Sequence, residues 1–253
     1  VCVATLASMD YHRMDIRVED YRQNRFVPAP RGEAGTKAIV GVGATAGDMK
    51  IVAIRPDGTP CGPGEIGEIC LQSGSVCAGY WQNPEETKRF QTVIPGHPGF
   101  FYRTGDMGVM QEGQLYLTGR IKEMIIISGK NIFPSDITLL FHEQGVALPM
   151  DAMTVFSVAS GEGERPVLAA EAPADADFQA ISGALNRLTA QILDFSFADI
   201  VFVREGTLPR TDNRKIKTLA AKAQYEDGRL SVLYSTSGQG QALSEAPAPR
   251  LKV

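Results

Sequence analysis

The sequence predicts an α+β protein in two parts, an all-β segment to about residue 120 and a smaller unit of alternating strands and helices after it. Three observations carry that expectation. Before Arg120, apolar residues recur with period two between Gly- and Pro-bearing turns. After Arg120, short strand-like runs alternate with stretches of helical spacing. The composition of the 253 residues, 43% hydrophobic and 21% charged, is that of a globular chain able to bury one large core or two modest ones.

In order, the first fifty residues read as irregular structure with short apolar runs. Lys50–Ile54 is expected as a strand, Pro56-Asp57-Gly58 as a turn, and Gly64–Leu71 as a second strand by its alternation. A short helix should open at Asn83, which suits the N-cap, followed by Pro84 in the first turn and Glu85 and Glu86 at the positive end of the dipole. Gly108–Met110 and Leu115–Thr118 look like hairpin arms around Gln111-Glu112-Gly113-Gln114. Beyond Arg120, strands are expected at Met124–Ser128, Ala152–Ala159, Val167–Ala172 and Ile200–Arg204. Helices are expected at Ser135–Gln144, Asp177–Leu193 and, basic and Ala-rich, Asn213–Tyr225, with a polar turn at Gly161-Glu162-Gly163-Glu164. From Glu226 the Ser-, Gly-, Gln- and Pro-rich texture is that of a flexible tail or linker. The expected divisions are 1–120, 121–225 and 226–253.

Charge and cysteine usage narrow the function classes. Lys+Arg 25 against Asp+Glu 29 gives a net charge of -4, without the basic excess of a nucleic-acid binder. No apolar run approaches a membrane span. Cys2, Cys61, Cys70 and Cys77 form no CxxC pair, and His12, His97 and His142 stand far apart, so neither a disulfide framework nor a metal site is expected. Reduced thiols and a cytoplasmic location are expected. The opening VCVATLASMD lacks a secretion signal's basic start and apolar core, and begins without Met, as a piece of a longer protein would.

Four constellations could carry chemistry. Gly41-Val42-Gly43-Ala44-Thr45-Ala46 matches a dinucleotide fingerprint, but Met49–Ile54 reads as strand where that fingerprint needs a helix, so a flexible turn is expected. In Tyr102-Arg103-Thr104-Gly105-Asp106, the Asp is either a turn former or an acceptor-only carboxylate for a ribose diol. Arg120-Ile121-Lys122 stands where the texture changes, either a solvated loop or a hinge whose Arg fork holds phosphate or ribose oxygens. Lys215, in Leu208-Pro209-Arg210-Thr211-Asp212-Asn213-Arg214-Lys215-Ile216-Lys217, is either surface charge or a cation for a reacting phosphoryl group.

Taken together and in order, GEIGEICLQSGSVCAGYWQNPEET, FYRTGD, GRIKEMIIISGKNIFP and LPRTDNRKIK resemble the adenylate-forming superfamily of acyl-CoA synthetases, peptide-synthetase adenylation domains and luciferase. The stretch Gly129–Ile137 looks most like that of fatty acyl-AMP ligases, and the resemblance runs over roughly residues 40 to 225. It implies the remnant of a large-domain β-barrel followed by a small α+β C-terminal domain. It also implies that Asp106 takes the ribose hydroxyls of ATP, Arg120 contacts the ribose and phosphate of the adenylate, Lys122 is the interdomain hinge, and Lys215 steadies the carboxylate and α-phosphate. ATP with Mg²⁺, a fatty acid and the phosphopantetheine arm of an acyl carrier protein are the implied substrates and partner. An acyl-CoA synthetase or a non-catalytic carrier-protein docking module is the alternative. The family usually places Gly before the lysine, where this chain has Arg214. The family's phosphate loop, acyl pocket and adenine segment have no match here. The expectation is therefore the C-terminal part of a ligase, with VCVATLASMD next to the missing adenine segment, inactive by itself.

Overall fold

A computed structural model describes residues 5–6, 12–160 and 163–238. Its contacts divide the chain into two units, Val1–Met124 and Ile125–Val253. Both are mixed α+β, and the first is dominated by one curled half-barrel sheet.

The first unit contains β1 (Thr5–Leu6), β2 (Arg13–Arg17), α1 (Val18–Tyr21), β3 (Pro28–Ala29), β4 (Thr36–Thr45), β5 (Lys50–Ile54) and β6 (Gly67–Gln72). It continues with α2 (Pro84–Phe90), β7 (Gln91–Val93), β8 (Phe100–Gln111) and β9 (Gln114–Arg120). The sheet runs β3-β2-β4-β9-β8-β6-β5, with β1 added on β4 and β7 on β8, and every pairing is antiparallel. The expected hairpin is present with longer arms. Its two central residues, Glu112 and Gly113, have φ of 51 and 75, the doubly left-handed turn that matches strand twist. Helix α2 opens as expected, with Asn83 Oδ1 accepting from the Glu86 N–H at 3.1 Å.

The expectation of irregular structure before residue 50 fails at β4. That strand is half exposed and interrupted by glycines, so its alternation carries little apolar signal. The expected turn at Gly41–Ala46 also fails: Gly41 and Ala44 pair with β9, and the irregularity between them is a bulge within the ladder. A Cβ on Gly41 would sit 3.4 Å from His12 and from the Tyr116 ring, the close approach that Gly permits.

The second unit opens with the hairpin β10 (Ile125–Ile127) and β11 (Lys130–Ile132), then α3 (Pro134–Glu143). There follow β12 (Met153–Ser160), β13 (Gly163–Glu171), α4 (Phe178–Ile192), β14 (Asp199–Val203), α5 (Thr218–Glu226) and β15 (Val232–Ser235). The sheet order is β12-β13-β14-β15, and β13 lies parallel to β14, so α4 supplies the crossover that a parallel pair requires. Both faces of this sheet are buried. Leu168, Ala170, Ile200 and Phe202 pack with Phe141 and Leu185 of the helices α3 and α4. Val167, Ala169, Val201 and Val203 pack with Ala221 of α5. That two-sided burial explains why β13 and β14 read as continuous apolar runs.

Two further expectations need correction. The helix expected at Asn213–Tyr225 begins at Thr218, because Arg214 has φ 63 and the Lys217 N–H turns back to the Pro209 carbonyl at 2.7 Å. The tail expected from residue 226 includes β15, tied to the sheet beside β14. Behind it lies Asp199, 1% exposed. Its carboxylate accepts from Tyr225 Oη at 3.0 Å, Ser235 Oγ at 2.9 Å, Thr236 Oγ1 at 3.1 Å, and the Ser237 N–H and Oγ at 3.0 and 2.7 Å. Burial, together with the charge of Asp199, pushes the Tyr225 phenol well above its usual range. Residues 239–253, Gly161 and Glu162 of the expected turn, and all of VCVATLASMD except Thr5 and Leu6 lie outside the described residues.

Asp199→Ala should destabilise the second unit by about 3 kcal/mol, since several donors lose their buried acceptor at once. Urea unfolding measures the loss, and hydrogen exchange should place it first in Val232–Ser235. Arg214→Gly should have the opposite sign. Relief of the left-handed backbone is partly offset by the entropy of Gly in the unfolded chain, for a net gain of up to about 1 kcal/mol in thermal unfolding.

Candidate functional site

Asp106 is placed by an irregularity in the β6–β8 ladder. Glu68 pairs with Met107 and Cys70 with Arg103, so across that step β8 carries Thr104 to Asp106 against the single Ile69 of β6, two residues more. A second shift follows between Met107 and Gly108 against β9. Between the two bulges, Asp106 sits directly opposite Arg120, and Arg120 Nε donates to Asp106 Oδ1 at 3.0 Å. Bulges re-aim side chains, and this one turns the carboxylate outward, 31% exposed beside an Arg side chain 67% exposed. Asp106 Oδ2 and the terminal nitrogens of Arg120 have no hydrogen-bond partner among the described residues. The site therefore offers one free acceptor oxygen next to a free guanidinium fork.

The bulge is held from beneath by Glu68, whose side chain is 8% exposed. Its Oε2 accepts from Arg103 Nε at 2.9 Å, and its Oε1 accepts from the Gly105 N–H at 3.1 Å. Gly105 has φ 74, a conformation that fits Gly at this bend. Thr104 Oγ1 donates to the Ile69 carbonyl at 2.8 Å and accepts the Asp106 N–H at 3.0 Å. Each residue of the turn thus has a fixed partner, leaving the Asp106 carboxylate to face solvent. The carboxylate of Glu68 also raises the Arg103 guanidinium, chiefly through that hydrogen bond.

Lys122 is exposed in the 3-10 turn Ile121–Glu123, two positions before the first unit ends. Lys215 belongs to the second unit, on a tight exposed turn. The Thr211 N–H donates to the Lys215 carbonyl at 2.8 Å, and the Lys215 N–H donates to Thr211 Oγ1 at 3.2 Å. The Arg210–Ile216 bridge closes the turn from below, and Lys215 Nζ makes no hydrogen bond or ion pair among the described residues. Asp106 and Arg120 are therefore brought together, with Lys122 shortly after them in the chain and Lys215 on a separate unit.

Burial pushes the Cys61 thiol up to about 11 and the Cys70 thiol up to about 12, so neither is a thiolate nucleophile at neutral pH. Among the described residues no group of three or more His, Cys, Asp or Glu side chains gathers as a metal site, and no helix is long and apolar enough to cross a membrane. Sequence reasoning passed over Glu68. The available signal was an acid in Gly67–Gln72 on the same alternation as the fully buried Cys70.

No family model matches the chain. The medium-chain-fatty-acid–[acyl-carrier-protein] ligase JamA of Moorena producens (strain JHB) is 29% identical over 245 residues, which is 91% of this chain and 41% of that protein. The long-chain-fatty-acid–AMP ligase FadD28 of Mycobacterium tuberculosis (strain ATCC 25618 / H37Rv) is 33% identical over 189 residues, 68% of this chain and 32% of that protein. Among solved structures, one from a study of fatty acyl-adenylate ligases of E. coli and L. pneumophila has a TM-score of 0.71 at 23% identity, over 86% of this chain and 38% of its own. The complex of McyG A-PCP with phenylalanyl-adenylate has a TM-score of 0.65 at 22% identity, over 78% of this chain and 34% of its own. These two likenesses speak for the fold. The chain spans between 32% and 41% of the length of these two curated relatives. By sequence, the chain is a homologue of the fatty acyl-AMP ligases within the adenylate-forming enzymes.

Proposed function

We propose that this chain is the C-terminal part of a fatty acyl-AMP ligase, which joins a fatty acid to ATP as an acyl-adenylate and releases pyrophosphate. The acyl group then passes to the phosphopantetheine thiol of an acyl carrier protein in the cytoplasm. The observation that carries this reading is the Asp106–Arg120 pair, in which Arg120 uses only Nε on Asp106 Oδ1. Asp106 Oδ2 is left to accept from the ribose hydroxyls, and the Arg120 fork is left for oxygens of the ribose and adenylate phosphate. Lys215 supplies positive charge where the fatty-acid carboxylate meets the α-phosphorus, and Lys122 is the hinge that changes its approach between half-reactions. Attack of the carboxylate oxygen on phosphorus forms the mixed anhydride as the bond to pyrophosphate breaks, so the protein's task is positioning and charge neutralisation.

Carrier protein as acceptor is supported by the name of JamA, an acyl-carrier-protein ligase. The names of the relatives include both medium- and long-chain ligases. Mg²⁺ is expected to arrive with the triphosphate. The described residues do not fit a dedicated site for it, and no step is assigned to it.

The chain alone, given ATP, Mg²⁺ and a panel of fatty acids, should release no pyrophosphate above its Lys215→Ala control, because the phosphate loop expected to cradle the β- and γ-phosphates has no match in its sequence. Turnover that vanishes in the control would show the chain competent and the partial-enzyme reading wrong. In the complete protein that contains this sequence, Lys215→Ala should cut adenylate formation by about 10²-fold or more and Asp106→Ala should weaken ATP use. Efficient release of acyl-CoA in place of acylated carrier protein would overturn the acceptor assignment.

A further inference from the structure

Another buried acid stands where the apolar pattern does not ask for one. Val167 and Ala169 of β13 face the core under α5, and Glu171 follows them on the same alternation, 6% exposed. Both of its oxygens are used. Oε1 accepts from the Leu208 N–H at 2.8 Å, and Oε2 accepts from Arg210 Nη2 at 2.6 Å. Arg210 in turn donates from Nη1 to the Asp151 carbonyl at 3.0 Å and the Arg214 carbonyl at 2.8 Å. One buried carboxylate thus reaches both arms of the turn. Leu208 and Arg210 lie on the entering arm, and Arg214 lies on the leaving arm immediately before Lys215.

We propose that Glu171 and Arg210 are positioning residues that set the direction of Lys215, resting on the reading of Lys215 as the adenylation lysine. Neither residue touches the reacting atoms. The planar, multi-donor fork of Arg is what the arrangement needs, because one side chain must meet a carboxylate and two carbonyls in fixed directions. A buried pair of this kind is a weak source of stability, since desolvation offsets much of its attraction. What it does supply is geometry. The free Nζ of Lys215 is carried by a turn whose two arms are fixed to one point inside the sheet.

The test compares Glu171→Gln and Arg210→Lys with the unaltered chain by amide hydrogen exchange and by the NMR signal of the Lys215 amide. Gln keeps the shape of Glu171 but loses its charge. Lys keeps the ion pair but cannot also reach the Asp151 and Arg214 carbonyls. Exchange at Arg214, Lys215 and Lys217 should rise about tenfold or more in both variants, with Asp199–Val203 unchanged and the Lys215 signal shifted. In the complete enzyme, both should lower kcat for adenylate formation with little change in KM for ATP. Unchanged exchange in the turn would overturn the proposal. Loss of protection throughout the unit in both variants would also overturn it, leaving the pair to general stability. If only Glu171→Gln unfolds, Arg210→Lys decides: loosening confined to the turn supports the proposal, and none refutes it. Full activity in Lys215→Ala would instead remove the catalytic reading of Lys215, whatever the turn does.

Discussion

A carboxylate buried in a sheet has to be met by donors, and in this chain that requirement decides where the loops go. Among the buried acids inside strands, three tie down a distant segment: Glu68 in β6, Glu171 in β13 and Asp199 in β14. Each would be costly if left unpaired, and each collects backbone N–H groups together with side-chain donors from a distant segment. Glu68 gathers the turn that presents Asp106, Glu171 the turn that presents Lys215, and Asp199 the strand that closes the sheet. The polar groups facing solvent are thus in position because polar groups facing inward have first been satisfied.

Hydrophobic packing sets the frame within which this happens. In the second unit, alternate residues of β13 and β14 feed cores on opposite faces, so a one-residue slip would exchange the two cores and expose Glu171 or Asp199 to the wrong side. Packing therefore locks the register, and the register aims the acids. The first unit departs from this regularity where Asp106 needs to face outward. Its two bulges interrupt the ladder on either side of the Asp106–Arg120 pair.

What could be read from the sequence was local. The Asn83 cap, the Glu112-Gly113 turn and the apolar runs of β13 and β14 depend on neighbours within a few residues, and each was legible. Strand β4 was not, because it is half exposed and takes its definition from β2 and β9. Nor was the strand at Val232–Ser235, whose polar surroundings become structural only through Asp199. For the candidate site, Asp106, Arg120, Lys122 and Lys215 stood out through motifs. Glu68 and Glu171 remained hidden, since their partners are remote in the chain and a lone acid in a strand does not name its donor. Arg214 makes the same point for the backbone: its left-handed conformation explains why Gly suits that place, yet the letter R gives no hint of it.

The Asp199 arrangement also has a mechanical consequence. Ser235 pairs with Val201 and Val232 with Val203, so the end of β15 nearest residue 238 is the end that Asp199 grips. Tension arriving along the chain from beyond that point loads the Ser235–Ser237 clasp before it reaches the rest of the strand. A pull on the chain at residue 238 would meet the Ser235, Thr236 and Ser237 hydrogen bonds to Asp199 before the ladder between β14 and β15.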